Sequence, residues 1–127
     1  MVHNQDDLLL LKDIVDCCIR IVTHTKKTKY YYFERDYDKQ SIIERLLEII
    51  GQAAKKISED THKNLPNIPW KKMIGLRNKL AHDYGEILKE WLLFISQNSI
   101  PDLLIELEKI EELKDHIVES KKKFGKF

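Results

Sequence analysis

Apolar residues recur at helical spacing through most of the chain. The first stripe predicts a helix from about residue 6 to 24, and its members are Leu8, Leu11, Val15, Cys18, Ile19 and Val22. A second helix is predicted from about residue 37 to 59, and its very broad apolar face indicates that it is the central one. Gly51, with Ala53 and Ala54 after it, would let another backbone approach this helix closely.

A polar segment from Thr61 to Ile68 predicts a loop after the second helix. Pro69 suits the first turn of a third helix, because the N–H that proline lacks has no helical partner there. This third helix carries Trp70 through Tyr84 on one continuous pattern, and Gly85 is expected to loosen or end it.

Two more helices follow in the second half of the chain. The fourth carries Ile87 through Ile95 and is expected to stop near Asn98. Ser99 is predicted to cap a fifth helix that has Pro101 in its first turn. The inward-facing residues of this fifth helix are predicted to be Leu104, Leu107 and Ile110.

No segment shows the period of a β-strand and no internal repeat is visible, so the predicted fold is all-α, an antiparallel bundle of four to five helices. A chain of 127 residues with 4 Gly and 3 Pro fits one such domain. We place this domain at residues 1–120 and expect residues 121–127 to form a basic, frayed C-terminal tail.

Composition narrows the class of protein further. The 34% of charged and 43% of hydrophobic residues are typical of a folded helical protein, and the net charge of +1 means that any affinity for nucleic acid must come from a local patch. Cys17 and Cys18 are neighbours, which fits neither an ordinary disulfide nor a zinc site but fits a reducing cytosol. Without a signal peptide or a long apolar run, the expected location is cytoplasmic, with no membrane contact.

The window from Arg77 to Tyr84 carries the richest chemistry. Arg77 supplies a permanent cation that binds phosphate as a planar fork, and His82 has the side chain whose ordinary pKa lies nearest neutrality. On one straight helix Arg77 and Tyr84 would nearly align, whereas Arg77 and His82 would diverge by about 140°. Either the helix bends near His82 or a second chain completes the site; a surface Arg and a capping His is the simpler interpretation.

The longer stretch Ile68–Tyr84 resembles the HepT-like branch of the HEPN superfamily. Leu47–Ala54 lies near that family's Gly-Glu-Ala signature, and Pro101–Leu104 looks like the start of its last helix. The resemblance covers about residues 5 to 113. It implies a ribonuclease toxin of a bacterial or archaeal toxin–antitoxin pair (type II or VII-like), encoded beside a minimal nucleotidyltransferase antitoxin.

The resemblance also implies roles for single residues. The family's Arg-x4-6-His motif falls on Arg77 and His82 as catalytic residues, and Asn78 would hydrogen-bond the phosphate or orient the histidine. Tyr84 matches the tyrosine to which the antitoxin can transfer AMP, which silences the toxin. Gln52 departs from the family's usual Glu, and Gly85 stands where an aromatic residue often follows the tyrosine.

These residues predict a metal-independent endoribonuclease that needs no cofactor. RNA carries its own nucleophile, the 2′-OH, so His82 would take that proton and Arg77 would stabilise the charge that builds on the phosphate. A general acid must protonate the leaving 5′-oxygen, and a homodimer would supply His82 twice in one groove. The competing interpretation is a non-catalytic HEPN subunit that helps a nucleotidyltransferase bind its substrate.

Two basic segments remain open. Lys26–Phe33 interleaves cations with aromatic rings, which could bind phosphates and unpaired bases of RNA, although tyrosines that pack on neighbouring helices are the favoured interpretation. The tail from Lys121 to Lys126 could touch RNA or an acidic partner, but a solvated tail is favoured there.

Overall fold

The computed structural model describes residues 2–125, and within them every regular element is helical. The helices are α1 Gln5–Thr25, α2 Tyr30–Phe33, α3 Tyr37–Lys56, α4 Glu59–Asn64, α5 Trp70–Ile74, α6 Leu76–His82, α7 Gly85–Gln97, α8 Ser99–Glu108 and α9 Lys114–Phe124, with a 3-10 turn at Glu111–Leu113. Five of them, α1, α3, α7, α8 and α9, have ten or more residues. The predicted all-α bundle is confirmed.

Helices α1 and α3 form the central pair, so the second predicted helix is central as its broad apolar face indicates. Asn4 caps α1 by accepting a hydrogen bond from the Asp7 backbone N–H at 2.8 Å, and Asp36 caps α3 by accepting from Lys39 N–H at 3.0 Å. The side chains that meet between these and the flanking helices are fully buried, among them Leu11, Val15, Ile43, Leu47 and Ile50.

The predicted loop from Thr61 to Ile68 is wrong for its first four residues. Helix α3 ends at Lys56, and Ser58 then caps the short helix α4, accepting a hydrogen bond from Thr61 N–H at 3.3 Å. Most polar residues of α4 face solvent, but Thr61 is buried and His62 stacks on the Trp70 ring. A capping serine followed by acidic residues is a helix start, and it outweighs the polarity that predicts a loop.

The predicted third helix is two helices, α5 and α6, which meet at Gly75. Helix α6 ends at His82, because Asp83 and Tyr84 both adopt extended backbone angles. Gly85 does not end this helix; with φ of +57° it begins α7. A backbone in the left-handed region favours glycine, so this residue supports the sharp change of direction between α6 and α7.

The C-terminal part differs from its prediction in two ways. Asn98, not Ser99, occupies the N-cap position of α8, and its side chain makes no capping hydrogen bond. Helix α9 continues through Lys121 and Phe124, so the expected fraying is wrong there, while Met1, Lys126 and Phe127 lie outside the described residues. The domain boundary at residue 120 stays a prediction.

Segment Lys26–Phe33 contains the short helix α2, and some of its aromatic side chains are buried whereas others are exposed. Phe33 is fully buried and Tyr30 packs partly against the core, as expected for a connection between helices. Tyr31 and Tyr32 instead remain mostly exposed, so the expected packing of the tyrosines is wrong for these two. No helix within residues 2–125 is long and apolar enough to cross a membrane.

Candidate active site

Helix α6 carries the candidate catalytic residues on a short, mostly exposed element. Its buried residue Leu76 packs towards α3, while Arg77, Asn78 and His82 are exposed. Gly51 on α3 makes this approach possible: a β-carbon there would lie 3.0 Å from the carbonyl oxygen of Met73. The close backbone contact expected at Gly51 is therefore confirmed, and it fixes where α5 and α6 lie.

Arg77 lines a groove of about 460 Å³ between α3 and α6. The other residues that line it are Glu44, Arg45, Glu48, Leu80 and Ala81. His82, at the last position of α6, is not among them. A single chain therefore does not bring Arg77 and His82 to one groove, and the helix ends at His82 rather than bending before it.

The side chains of Arg77, Asn78 and His82 have no hydrogen-bond or ion-pair partner among residues 2–125. Lys79, between them, is different, because its Nζ lies 2.9 Å from Asp83 Oδ2 and 5.9 Å from the centroid of the Trp91 ring. The unpaired residues are the ones that can bind an anion from outside, since a guanidinium with no internal carboxylate keeps its five donors available.

The carboxylates in the Arg77 groove are residues that the sequence analysis missed. Glu44 is half-buried, and burial raises the pKa of its carboxyl above the ordinary value of 4.5. Glu48 accepts hydrogen bonds from Arg45 at 3.0 Å and from Gln52 Nε2 at 3.3 Å, so the amide that replaces the family's Glu is tied to a neighbouring carboxylate. Glu44 and Glu48 are four residues apart and therefore lie on one face of α3, and this spacing was the signal in the sequence that could have identified them.

Tyr84 lies outside α6, so its predicted alignment with Arg77 on one helix is wrong. The residue has an extended backbone at the N-cap position of α7, and 77% of its surface is exposed. Tyr84 neither packs in the core nor makes a side-chain capping bond at this position. Its phenol is open to solvent.

An apolar cleft of about 380 Å³ adjoins α6 on its other side. It separates α5 and α6 from α7 and α8, and Met73, Leu76, Trp91, Phe94 and Leu103 are among the residues that line it. The outer face of α7 continues this apolar surface, since Ile87 is 67% and Phe94 62% exposed. Exposed apolar surface of this kind marks interaction sites.

Other chemistry-bearing groups do not form a second site. Cys17 and Cys18 are buried and free, and burial raises the pKa of the Cys17 thiol to about 12 and that of Cys18 further, so neither is a reactive thiolate. Within the described part of the chain, His, Cys, Asp and Glu nowhere gather in threes that could hold a metal ion.

Comparison with known proteins identifies the family. The family model described as "Ribonuclease HepT-like" matches residues 14–110. A Methanocaldococcus jannaschii protein named "Putative RNase" is 35% identical over 104 residues, which covers 82% of this chain and 95% of that protein. A "Probable ribonuclease HepT" from Thermococcus cleftensis is 33% identical over 102 residues, covering 80% and 93%. No solved structure matches the chain. The chain therefore belongs to the HepT-like ribonuclease family.

Proposed function

We propose that this protein is a metal-independent endoribonuclease that acts as the toxin of a toxin–antitoxin pair. The observation that carries the proposal is that Arg77 and His82 stand exposed at the two ends of α6, unpaired within the described chain, in a member of a ribonuclease family. A cation and a proton carrier left unpaired suit a substrate that brings both a phosphate and a hydroxyl, as RNA does.

In this mechanism His82 takes the proton of a ribose 2′-OH, whose oxygen attacks the adjacent phosphorus. The bond to the 5′-oxygen breaks, which leaves a 2′,3′-cyclic phosphate on one fragment and a 5′-OH on the other once that oxygen is protonated. Arg77 holds the phosphate and stabilises its charge in the transition state. Asn78, next to Arg77 on the same exposed turn, would bind the phosphate or orient His82.

We infer that the active form is a homodimer. Arg77 and His82 do not share a groove in one chain, so a second copy is needed to bring a histidine to each arginine and to supply a general acid. The exposed apolar residues Ile87 and Phe94 of α7 and the cleft beside them lie next to α6 and would provide the contact surface. Light scattering should report a dimer, and Phe94→Glu should give an inactive monomer; an active monomer would refute the composite site.

We further propose that a minimal nucleotidyltransferase antitoxin silences the enzyme by transferring AMP to Tyr84. The exposure of this phenol supports access by a partner enzyme. The added phosphate would compete for Arg77 and repel RNA phosphates. Intact-mass measurement after treatment with the antitoxin and ATP should show one added adenylate on wild-type protein and none on Tyr84→Phe, which should keep its ribonuclease activity.

Product chemistry tests the reaction itself. Cleavage of a labelled RNA should persist in EDTA, and the fragments should end in a 2′,3′-cyclic phosphate and a 5′-OH. An RNA whose 2′-OH groups are methylated should resist cleavage, because the nucleophile is then blocked. Loss of activity in EDTA, or cleavage of the methylated RNA, would exclude the proposed mechanism. A protein that binds RNA without cleaving any would instead support the non-catalytic interpretation.

A further inference from the structure

Three tyrosines are exposed on one corner of the molecule, where α2 leads into α3. The exposed fractions of Tyr31, Tyr32 and Tyr37 are 59%, 66% and 69%. The rings of Tyr31 and Tyr32 touch edge to face, with centroids 5.2 Å apart. Tyr32 and Tyr37 line one depression of about 500 Å³ together with Arg35, Asp36 and Asp38. We call Tyr31, Tyr32 and Tyr37 the tyrosine surface.

Cations lie against these rings. The Arg35 guanidinium carbon is 3.9 Å from the centroid of the Tyr31 ring, and Lys89 Nζ is 5.3 Å from that of Tyr37. Arg35 also pairs with Glu34, Lys89 Nζ lies 3.3 Å from Glu86 Oε1, and Asp36 and Asp38 line the same depression, so the rings have no net positive charge beside them. A ligand of this surface is therefore recognised by its flat rings, since the surface itself does not attract phosphates.

The tyrosine surface is joined to the candidate active site along two helices. On α3, Tyr37, Glu44 and Glu48 are spaced by seven and four residues, which places them on one face, and the latter two line the Arg77 groove. Seven residues of helix span about 10 Å. On α7, Glu86 follows Tyr84 by two residues and accepts a hydrogen bond from the Tyr30 hydroxyl.

We propose that the tyrosine surface binds unpaired bases of the RNA substrate by stacking, on the strand that continues from the phosphate held by Arg77. Every base has a flat face, so stacking on aromatic rings tolerates any sequence but requires single-stranded RNA. Lys27 and Lys29, both exposed at the start of the same segment, would follow the phosphates of that strand. This inference rests on the proposed function.

Binding measurements test the surface directly. Fluorescence anisotropy of a labelled single-stranded RNA of about ten nucleotides is measured in a His82→Ala background, which prevents cleavage. Removing one stacked base costs about 1–3 kcal/mol, so adding Tyr31→Ala, Tyr32→Ala and Tyr37→Ala together should weaken binding at least tenfold. The triple Tyr→Phe variant keeps the rings and should bind like the parent. Val118→Ala, an exposed apolar position on α9, is the matched control and should change nothing.

Cleavage separates this inference from the proposed function. In otherwise wild-type protein, replacing the three tyrosines with alanine should raise the KM for the RNA of about ten nucleotides and leave kcat unchanged. A dinucleotide is too short to reach the tyrosine surface, so the same variant should cleave it at the wild-type rate. If wild-type protein cleaves RNA but the triple variant binds and cleaves the long RNA equally well, the stacking surface is refuted. It is also refuted if the variant loses only its binding to the nucleotidyltransferase. No cleavage by wild-type protein would overturn the proposed function itself.

Discussion

Two carboxylates on the α1–α3 pair, Asp7 of α1 and Glu44 of α3, show how this protein separates structure from function. Asp7 is buried and accepts hydrogen bonds from Ser58 N–H at 3.0 Å and from the hydroxyls of Ser58 and Thr61, each at 2.5 Å. Glu44, in the Arg77 groove, receives no hydrogen bond from the described residues. Burial alone would raise both pKa values, yet the donors around Asp7 lower its pKa, while that of Glu44 stays raised. The buried carboxylate where α4 docks has its hydrogen-bond donors, whereas Glu44 in the groove beside α6 has none among the described residues.

The same contrast separates two histidines. His116 Nε2 lies 2.9 Å from Asp16 Oδ1, which also accepts a hydrogen bond from the Ser120 hydroxyl at 2.6 Å. Although Ser, His and Asp meet here, the serine and the histidine both contact the aspartate, so the histidine does not lie between the other two as it does in a Ser-His-Asp triad. This cluster fastens α9 to α1. His82 has no such partner in the described chain and is free for chemistry.

Arg77→Ala should give a large loss of activity, comparable with that of His82→Ala, while leaving the fold intact. Loss of a group that stabilises charge in the transition state lowers turnover by about 10²- to 10³-fold. Arg77→Lys keeps the charge but loses the planar fork, so its cleavage rate should fall between those of wild type and Arg77→Ala. The measurement is single-turnover cleavage of a labelled RNA, with thermal melting as the control. A wild-type rate for Arg77→Ala would show that the unpaired cation has no catalytic role.

Asp7→Ala should act on stability instead. It leaves three donors without their acceptor, the buried Thr61 hydroxyl and the half-buried N–H and hydroxyl of Ser58, so we expect a loss of about 3 kcal/mol in the free energy of unfolding. In the wild type this stabilisation is full well above the unfolded pKa of 3.8 and is lost as the pH falls through the lower folded pKa. Urea titrations at pH 7 and below pH 3 measure both effects.

The neighbouring Asp6 is exposed and offers the matched control. Asp6→Ala should change the free energy of unfolding by no more than about 0.5 kcal/mol. At saturating RNA and moderate temperature, folded Asp7→Ala protein should keep its turnover. If Asp7→Ala were as stable as Asp6→Ala, the hydrogen-bonded cluster would not hold α4 in the way described.

Glu44→Gln should show the smallest effect, of the opposite sign. Because the folded pKa of Glu44 is raised, ionisation of this group destabilises the fold above that pKa, and the penalty is absent below the unfolded value of 4.5. The neutral variant should therefore be more stable than wild type at pH 7, by no more than about 0.5 kcal/mol, and equal to it near pH 4. A loss of stability at pH 7 would mean that the carboxylate has a partner.

The bundle could be predicted from the sequence where packing is local. The stripes of α1 and α3 and the extent of α7 follow from periodicity, and the start of α4 was readable in its capping Ser58. The breaks at Gly75 and His82 were not, because they depend on how α5 and α6 meet Gly51, more than twenty residues away. Helix α9 was missed for a similar reason, since Asp16 and Arg20 of α1 hold it through His116 and Phe124.

The candidate site divides in the same way. Spacing together with the family resemblance pointed to Arg77 and His82, because a motif within one helix is a property of the local sequence. The place of Glu44 opposite Arg77 and the exposure of Tyr31 and Tyr32 depend on which helices become neighbours. The sequence prediction placed Tyr84 on the same helix as Arg77 because the helical periodicity continues to Tyr84, although the helix ends at His82 and Asp83 is extended.

The unpaired His82 is proposed to be a catalytic group and not a structural one. The most direct measurement is the single-turnover cleavage rate of His82→Ala beside that of His3→Ala, another exposed histidine, with the melting midpoint of each. Loss of a general acid or base lowers the rate by about 10²- to 10⁴-fold. We predict such a loss for His82→Ala, with an unchanged midpoint, and a wild-type rate for His3→Ala. Full activity of His82→Ala would show that His82 is not a catalytic group.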